Sequence, residues 1–320
     1  MNKVAATSSG IDAHQKLLIE IADAHYTMGK SQKQIAKERG VHASTVSRWI
    51  QDAHDLGIVH ISLCPPTNET LRSSLLENLY RQGVDEILVC SKGRSQVAQA
   101  TARYFESIAV SGSTVVLDGG KTVEIIVDSL RQNLFQKMTI IPIAGDPPSY
   151  DVSAYELSSR MARKYPIEST CKKPPVWKEP NLDPMHNAVC DAARNANFIL
   201  LGAGPWKKDY TALEFVQHLG VTTKDAERDN SKAAAVVGYL VLDKNGAWLN
   251  PAMIDSKMRR CIEYKRIQEL ASKPETCRSI VIAHGADKAE SVFIAIKARL
   301  INMLVIDEPL AIELGKLLAE

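Results

Sequence analysis

The sequence predicts an α/β protein in two parts, a small all-α helix-turn-helix domain followed by a larger α/β domain built on a mostly parallel sheet. Three observations predict it. The stretch Ser31–Gln51, SQKQIAKERGVHASTVSRWIQ, has the internal spacing of two short helices crossing steeply. The tract Leu63–Thr70, LCPPTNET, pairs two prolines with polar residues, as a linker does. From Leu71 onward, short continuous apolar runs alternate with helical stretches, the pattern of strands buried on both faces. Domain bounds follow at 1–62, a linker at 63–70, and 71–320.

Ahead of the hairpin, Asp12–Thr27 repeats Leu17, Leu18, Ile21, Ala24 and His25 at helical spacing and is expected to form a supporting helix. Within the hairpin a small residue is needed where the helices touch, and Ala36 occupies that place. Four residues later the chain must leave the first helix sharply, which suits Gly40. Ile35, Val41, Val46 and Trp49 fall at offsets pointing into the seam, while His42, Ala43, Ser44, Ser47, Arg48 and Gln51 point outward. Together with Lys30, Ser31, Gln32 and Thr45, these outward residues form the expected DNA-facing set. Arg48 and Gln51 suit bidentate contacts to base edges, and the serines suit phosphates or bases. Lys30, Lys33, Lys37, Arg39 and Arg48 face only Glu38 within this stretch, a local excess that a phosphate backbone would attract. Gly57 can end the second helix, and Ile58–Leu63 reads as a short strand or wing.

The balance over all 320 residues, 39 basic against 37 acidic, excludes a global polycation. The N-terminus lacks the apolar core of a signal peptide, and no apolar run approaches a membrane span, so a cytoplasmic, nucleoid-associated protein is expected. The six cysteines are scattered without disulfide or metal spacing, which predicts reduced thiols and no metal.

In the second part, strands are expected at Glu86–Cys90, Thr114–Leu117, Met138–Ile143, Phe198–Leu201, Val236–Leu242, Ile280–Ala283 and Leu304–Ile306, with a turn at Lys244, Asn245 and Gly246. Lys172–Pro184 reads as a proline-rich loop. Ligands of open α/β sheets sit beyond the carboxyl ends of the strands, so the loops there carry the candidate site. One is Asp118-Gly119-Gly120-Lys121-Thr122, a glycine turn opening a helix, whose amide protons suit an anion. A second is Gly202-Ala203-Gly204-Pro205-Trp206-Lys207-Lys208, a glycine-bounded turn with two cations. A third, His284-Gly285-Ala286-Asp287-Lys288, puts a lysine at a helix entrance. None is a Walker loop or a GxGxxG fingerprint, and no cofactor is expected.

With these stretches in view, the chain resembles the SorC family of bacterial transcriptional regulators, also called DeoR-type sugar-binding-domain regulators, from about Lys16 to Leu318. The likeness is carried by the hairpin, the helix VAQATARYFES, DGGKT, LGAG, VVGYLVLDKNG and the tail IAHGADKAESVFIAIKARLINMLVIDEPLA. It implies a Rossmann-like effector domain related to ribose-phosphate isomerases and glucosamine-phosphate deaminases, a phosphorylated sugar or sugar-like effector, operator DNA as partner, and a homodimer or homotetramer. Carried over by position, Gly120, Lys121 and Thr122 match the phosphate-holding loop, Lys207 and Lys208 an expected basic contact, and Lys288 a lysine near the phosphate. Ser153 falls where related regulators present an amide, and Gly119, Gly145, Gly202, Gly204 and Tyr239 complete the expected effector set. Two positions depart from the pattern: Tyr239 stands where an acidic residue is common, and Lys121 where smaller polar residues are usual. Both leave room for an effector that is more anionic or poorer in hydroxyls.

The competing class is a sugar-phosphate isomerase or deaminase, with Asp118, Asp287, Asp307 and Glu308 as candidate bases. None lies in the catalytic motifs of those enzymes, and the upstream hairpin favours sensing over catalysis. A third reading, a constitutive DNA-binding protein whose second domain only oligomerises, leaves the three polar loops without a purpose.

Overall fold

The computed structural model describes residues 13–56, 58–59, 67–145, 152–172, 184–207, 232–249 and 260–319. The chain divides into two compact units, 1–63 and 64–320. The expected wing lies largely outside the described residues, as do Gly57, residues 173–183 of the proline-rich loop and Lys208.

In the first unit, α1 (Ala13–Ala22) widens into a π-helical turn (Asp23–Thr27), followed by α2 (Gln32–Arg39) and α3 (Ala43–Asp55). The start of α2 is fixed by a reciprocal cap. The Ser31 hydroxyl accepts from the Gln34 amide at 3.3 Å, and the Gln34 side chain accepts from the Ser31 amide at 2.8 Å. Gly40, at φ 65°, ends α2 in the left-handed conformation that an L side chain adopts only with strain. Ile35 and Ala36 of α2 then meet Val46 and Ile50 of α3 over Ile21 of α1. Ile50, one helical turn beyond Val46, supplies the deep contact that the sequence assigned to Trp49. Trp49 instead lies half-buried between this cluster and a second one formed by Leu18, Ala22 and Ala53.

The second unit opens with α4 (Glu69–Arg81). The polar end of LCPPTNET is therefore not linker. Asn68 caps α4, its side chain accepting from the Leu71 amide at 3.0 Å, and Thr67 bridges to Cys90. The chain then runs β1 (Glu86–Cys90), α5 (Arg94–Ile108), β2 (Thr114–Leu117), α6 (Lys121–Ser129), β3 (Thr139–Pro142), α7 (Ala154–Lys164), β4 (Thr170–Cys171), α8 (Pro184–Ala193) and β5 (Phe198–Pro205). It continues through β6 (Ala233–Val237), β7 (Leu240–Asp243), α9 (Tyr264–Ala271), β8 (Arg278–Ala283), a 3-10 turn (Ala286–Lys288), α10 (Ala289–Lys297), β9 (Met303–Asp307) and α11 (Glu308–Ala319).

The parallel strands stand in the order β1-β9-β8-β5-β2-β3-β4, and an antiparallel β6–β7 hairpin continues from the far end of β5. Strand side chains alternate between two cores. Ile199, Leu201, Leu304 and Ile306 enter one; Phe198, Leu200, Met303 and Val305 enter the other. In the second core Phe105 meets the edges of Phe135 and Phe198 at 5.9 and 5.0 Å. Asn302 is wholly buried, and its amide group donates to the carbonyls of Ala271 and Cys277 while its oxygen accepts from the Ser279 amide. It ties the start of β8 to the turn before β9.

Two strand expectations need correction. Val236–Leu242 is not one strand: Gly238 (φ 53°) and Tyr239 (φ 61°) form a two-residue hairpin turn, a pair of positive φ values that lets adjacent strands reverse with their natural twist. The stretch from Gly202 to Pro205 is not a turn after β5 but its continuation, paired with β6. The turn at Lys244–Gly246 is present, with the Asp243 carboxylate accepting from the amides of Asn245 and Ala247. Among the described residues no helix is long and apolar enough to cross a membrane.

Candidate functional site

The parallel sheet has a switch point between β2 and β5. From β2 the chain moves outward through β3 and β4, and from β5 it returns the other way through β8 and β9. Crevices form at such points because the connections on either side diverge to opposite faces. Here the cleft encloses about 770 Å³ including its open mouth, and its lining comes from the loops after β1, β2 and β8, from the extended end of β5 and from the β6–β7 turn. Gly119, Gly120, Lys121, Thr122, Gly202, Gly204, Tyr239 and Lys288 all line it.

The glycine loop is built differently from the expectation that its glycines expose free amides. Gly119 N–H donates to the Asp118 carboxylate at 2.7 Å and Gly120 N–H to the Val152 carbonyl at 2.8 Å. The donors left for a ligand are the first-turn amides of α6, from Lys121 to Val123, which no intrahelical carbonyl can satisfy. Gly119 is needed for close approach. A Cβ there would lie 2.4 Å from the Tyr239 hydroxyl, 2.9 Å from the Val152 carbonyl oxygen and 3.0 Å from the Ala154 amide. Gly120, at φ 99°, turns the chain into α6.

Asp118 is buried, and besides Gly119 it accepts from the Gly202 amide at 2.8 Å, tying the β2 loop to β5. Asp307, also buried, accepts from the amides of Gly93, Gly285 and Leu310 and so holds the loops after β1 and β8 together. Glu308 accepts from the Asn68 side chain at 2.8 Å. These three carboxylates organise the rim.

Three cations line the cleft, Arg94, Lys121 and Lys288, and among the described residues none is ion-paired. Arg94 donates through Nε to Nε2 of His284 at 3.0 Å. Burial, with Lys288 and Arg94 nearby, pushes the His284 pKa down to about 4, so the ring is neutral and accepts that bond. Burial and the neighbouring Arg94 also lower the pKa of Lys288, against the opposing pull of Asp287 and Asp307. An anion in the cleft would relieve that cost.

The remaining expected residues lie elsewhere. Ser153 is buried and caps α7, its hydroxyl accepting from the Glu156 amide at 3.1 Å, while the carbonyl of its neighbour Val152 accepts from the Gly120 amide. Gly145 is buried behind the end of β3 and does not line the cleft. Lys207 is exposed past the end of β5, because pairing with β6 carries the strand beyond the cleft before the lysine is reached. Arg94 and Asp118 line the cleft but were missing from the effector set read in the sequence. The signal for Arg94 was the Ser91-Lys92-Gly93-Arg94 turn after β1, a strand-end loop like the three singled out.

On the hairpin, Ser44, Ser47, Arg48 and Gln51 are exposed along α3, and His42 at its start hydrogen-bonds Ser44 at 3.0 Å. Gln51 donates to Asp55 at 2.9 Å. Ala43 packs against the core and is not fully outward; Gln32 and Thr45 are half-buried, and Ser31 is spent on the cap. The local cationic excess is smaller than the sequence suggested. Lys30 pairs with Glu38 and Arg39 with Glu20, each at 2.7 Å, which leaves Lys33, Lys37 and Arg48 exposed without an ion pair among the described residues.

Comparison with known proteins agrees with this architecture. Residues 85–314 match the family described as "Putative sugar-binding domain". The deoxyribonucleoside regulator of Bacillus subtilis (strain 168) is 25% identical over 314 residues, covering 92% of this chain and 95% of the relative. The sorbitol operon regulator of Klebsiella pneumoniae is 28% identical over 154 residues, 45% of this chain and 48% of the relative. The crystal structure of that full-length regulator, SorC, superposes with a TM-score of 0.64 at 22% identity, covering 94% of this chain and 98% of the other. A transcriptional regulator from Streptococcus pneumoniae TIGR4 gives 0.63 at 14% identity, over 78% and 98%. A helix-turn-helix unit, a parallel α/β unit with a cleft at its switch point, and a family match over most of the second unit lead to one assignment: the chain belongs to the SorC/DeoR-type family of transcriptional regulators with a sugar-binding domain.

Proposed function

We propose that this protein is a one-component regulator of a carbohydrate or related catabolic operon, reading operator DNA through α3 and sensing a phosphorylated sugar or sugar-like metabolite in the cleft between β2 and β5. The observation that carries the reading is the meeting of the first-turn α6 amides with Lys121 and Lys288 in one cleft, neither lysine being ion-paired among the described residues. Helix-start donors and cations gathered in one cleft suit a phosphate far better than a hydroxyl. The relatives named for deoxyribonucleoside and sorbitol operons support the same class of effector. The retained-enzyme reading is disfavoured, since Asp118 and Asp307 are held by backbone amides and are poorly placed to accept a substrate proton.

The working form is a homodimer or homotetramer in the cytoplasm, because operator half-sites related by symmetry call for a symmetric reader. Ligand binding to the second unit alters how the paired readers meet the DNA. The two units fold independently, with the boundary in the proline tract, so a chain beginning at Thr67 should bind effector and ignore DNA. A thermal-shift screen tests the reading: phosphorylated sugars should raise the melting temperature by mass action where the matching neutral sugars do not. Equal shifts from phosphorylated and neutral sugars would remove the phosphate site.

A further inference from the structure

We propose that Arg94 makes the cleft selective for an effector with two anionic groups, one held at the start of α6 and the other, a carboxylate or a second phosphate, on the Arg94 guanidinium. The inference rests on the reading above that a phosphorylated metabolite binds here, and it adds a requirement that reading lacks. Arg94 enters the cleft from the opposite side to the glycine loop. It follows β1, four places from β2 in the sheet, and its guanidinium is tied to His284 at the end of β8. Neighbouring strands lie about 4.8 Å apart, so the end of β8 stands roughly 10 Å from the β2 loop, more than one phosphate spans.

Lys288, also carried by the loop after β8, contributes its charge beside Arg94. The bond to His284 uses Nε and leaves both terminal nitrogens for a ligand, and planar guanidinium groups match carboxylates and phosphates through two parallel bonds. Among the described residues the one acidic side chain lining the cleft, Asp118, accepts from the amides of Gly119 and Gly202 and not from Arg94. Tyr239 fits the same chemistry. It stands over Gly119 without adding the negative charge that an acidic residue would bring toward a doubly anionic ligand.

The test is calorimetric titration of the full chain with two matched pairs, glucose 6-phosphate against 6-phosphogluconate and fructose 6-phosphate against fructose 1,6-bisphosphate, in wild type and Arg94→Gln. Arg94 is exposed, so the variant should fold normally. At least one two-anion probe should bind tenfold or more tightly than its monophosphate. In Arg94→Gln that advantage should vanish while monophosphate affinity stays within twofold. A gain in the first pair identifies a carboxylate and a gain in the second a phosphate. Monophosphates that bind as tightly as their partners, or a variant that weakens both members of a pair equally, would overturn the role of Arg94 and leave the phosphate site standing. Failure of all four probes to bind would overturn both.

Discussion

Replacing Gly119 by alanine perturbs the cleft at its tightest point. The added methyl would sit 2.4 Å from the Tyr239 hydroxyl and within 3.0 Å of two backbone atoms, Val152 O and Ala154 N. The tyrosine can rotate aside, but the carbonyl and amide belong to the segment entering α7 and can yield only if that segment shifts. Overpacking of this kind costs about 1 to 3 kcal/mol. At about 2 to 4 °C per kcal/mol for a domain of this size, the fall in melting temperature is easily measured by calorimetry. Because the same movement displaces the Gly120 bond to Val152 and hence the start of α6, phosphorylated-sugar affinity should fall more than stability does. Operator binding without effector should be unaffected. A Gly119→Ala protein that melts with wild type and binds effector with wild-type affinity would refute the close packing of Tyr239 and α7 on the glycine loop.

Other perturbations separate reading, folding and sensing. Arg48→Ala removes an exposed cation from α3 and should weaken operator binding by about 1 to 3 kcal/mol if the guanidinium reads a base edge, with melting unchanged; anisotropy titration decides it. Glu106 is buried against Arg103 and Arg131 and also accepts from the Arg131 amide at 2.7 Å, so Glu106→Ala should cost about 1 to 3 kcal/mol in urea denaturation, above a surface charge deletion. His284 has a folded pKa of about 4 against 6.5 when unfolded, so the unfolded chain takes up the proton first as pH falls. Stability should therefore decline from about pH 6.5 toward pH 4, and His284→Gln should flatten that part of the profile.

The hairpin was legible because its constraints are local: the Ser31 cap, the left-handed Gly40 and the apolar offsets all act within twenty residues. The strands were legible for a similar reason, since burial on both faces leaves unbroken apolar runs. What stayed hidden was set by pairing at a distance. The extension of β5 through Pro205 depends on β6, and the hairpin turn at Gly238–Tyr239 lies inside an apolar run whose second positive φ falls on a tyrosine. The cleft shows the same division. Gly120, Lys121 and Lys288 could be read from strand-end loops, whereas Arg94 joins them only because β1 and β8 lie on either side of β9. Ser153 was placed in the site by resemblance, and its hydroxyl is taken up by the cap of α7.

The most direct measurement of the central claim is operator affinity, followed by anisotropy with and without a phosphorylated sugar that shifts melting, in wild type and Lys288→Met. Burial lowers the Lys288 pKa, so the charge is held at a cost, and the variant should melt at or above the wild-type temperature when effector is absent. Effector should change operator affinity in wild type and leave it unchanged in Lys288→Met, while the two proteins bind operator equally without effector. A variant that still responds at wild-type effector concentrations would contradict an anion-sensing cleft built around Lys288.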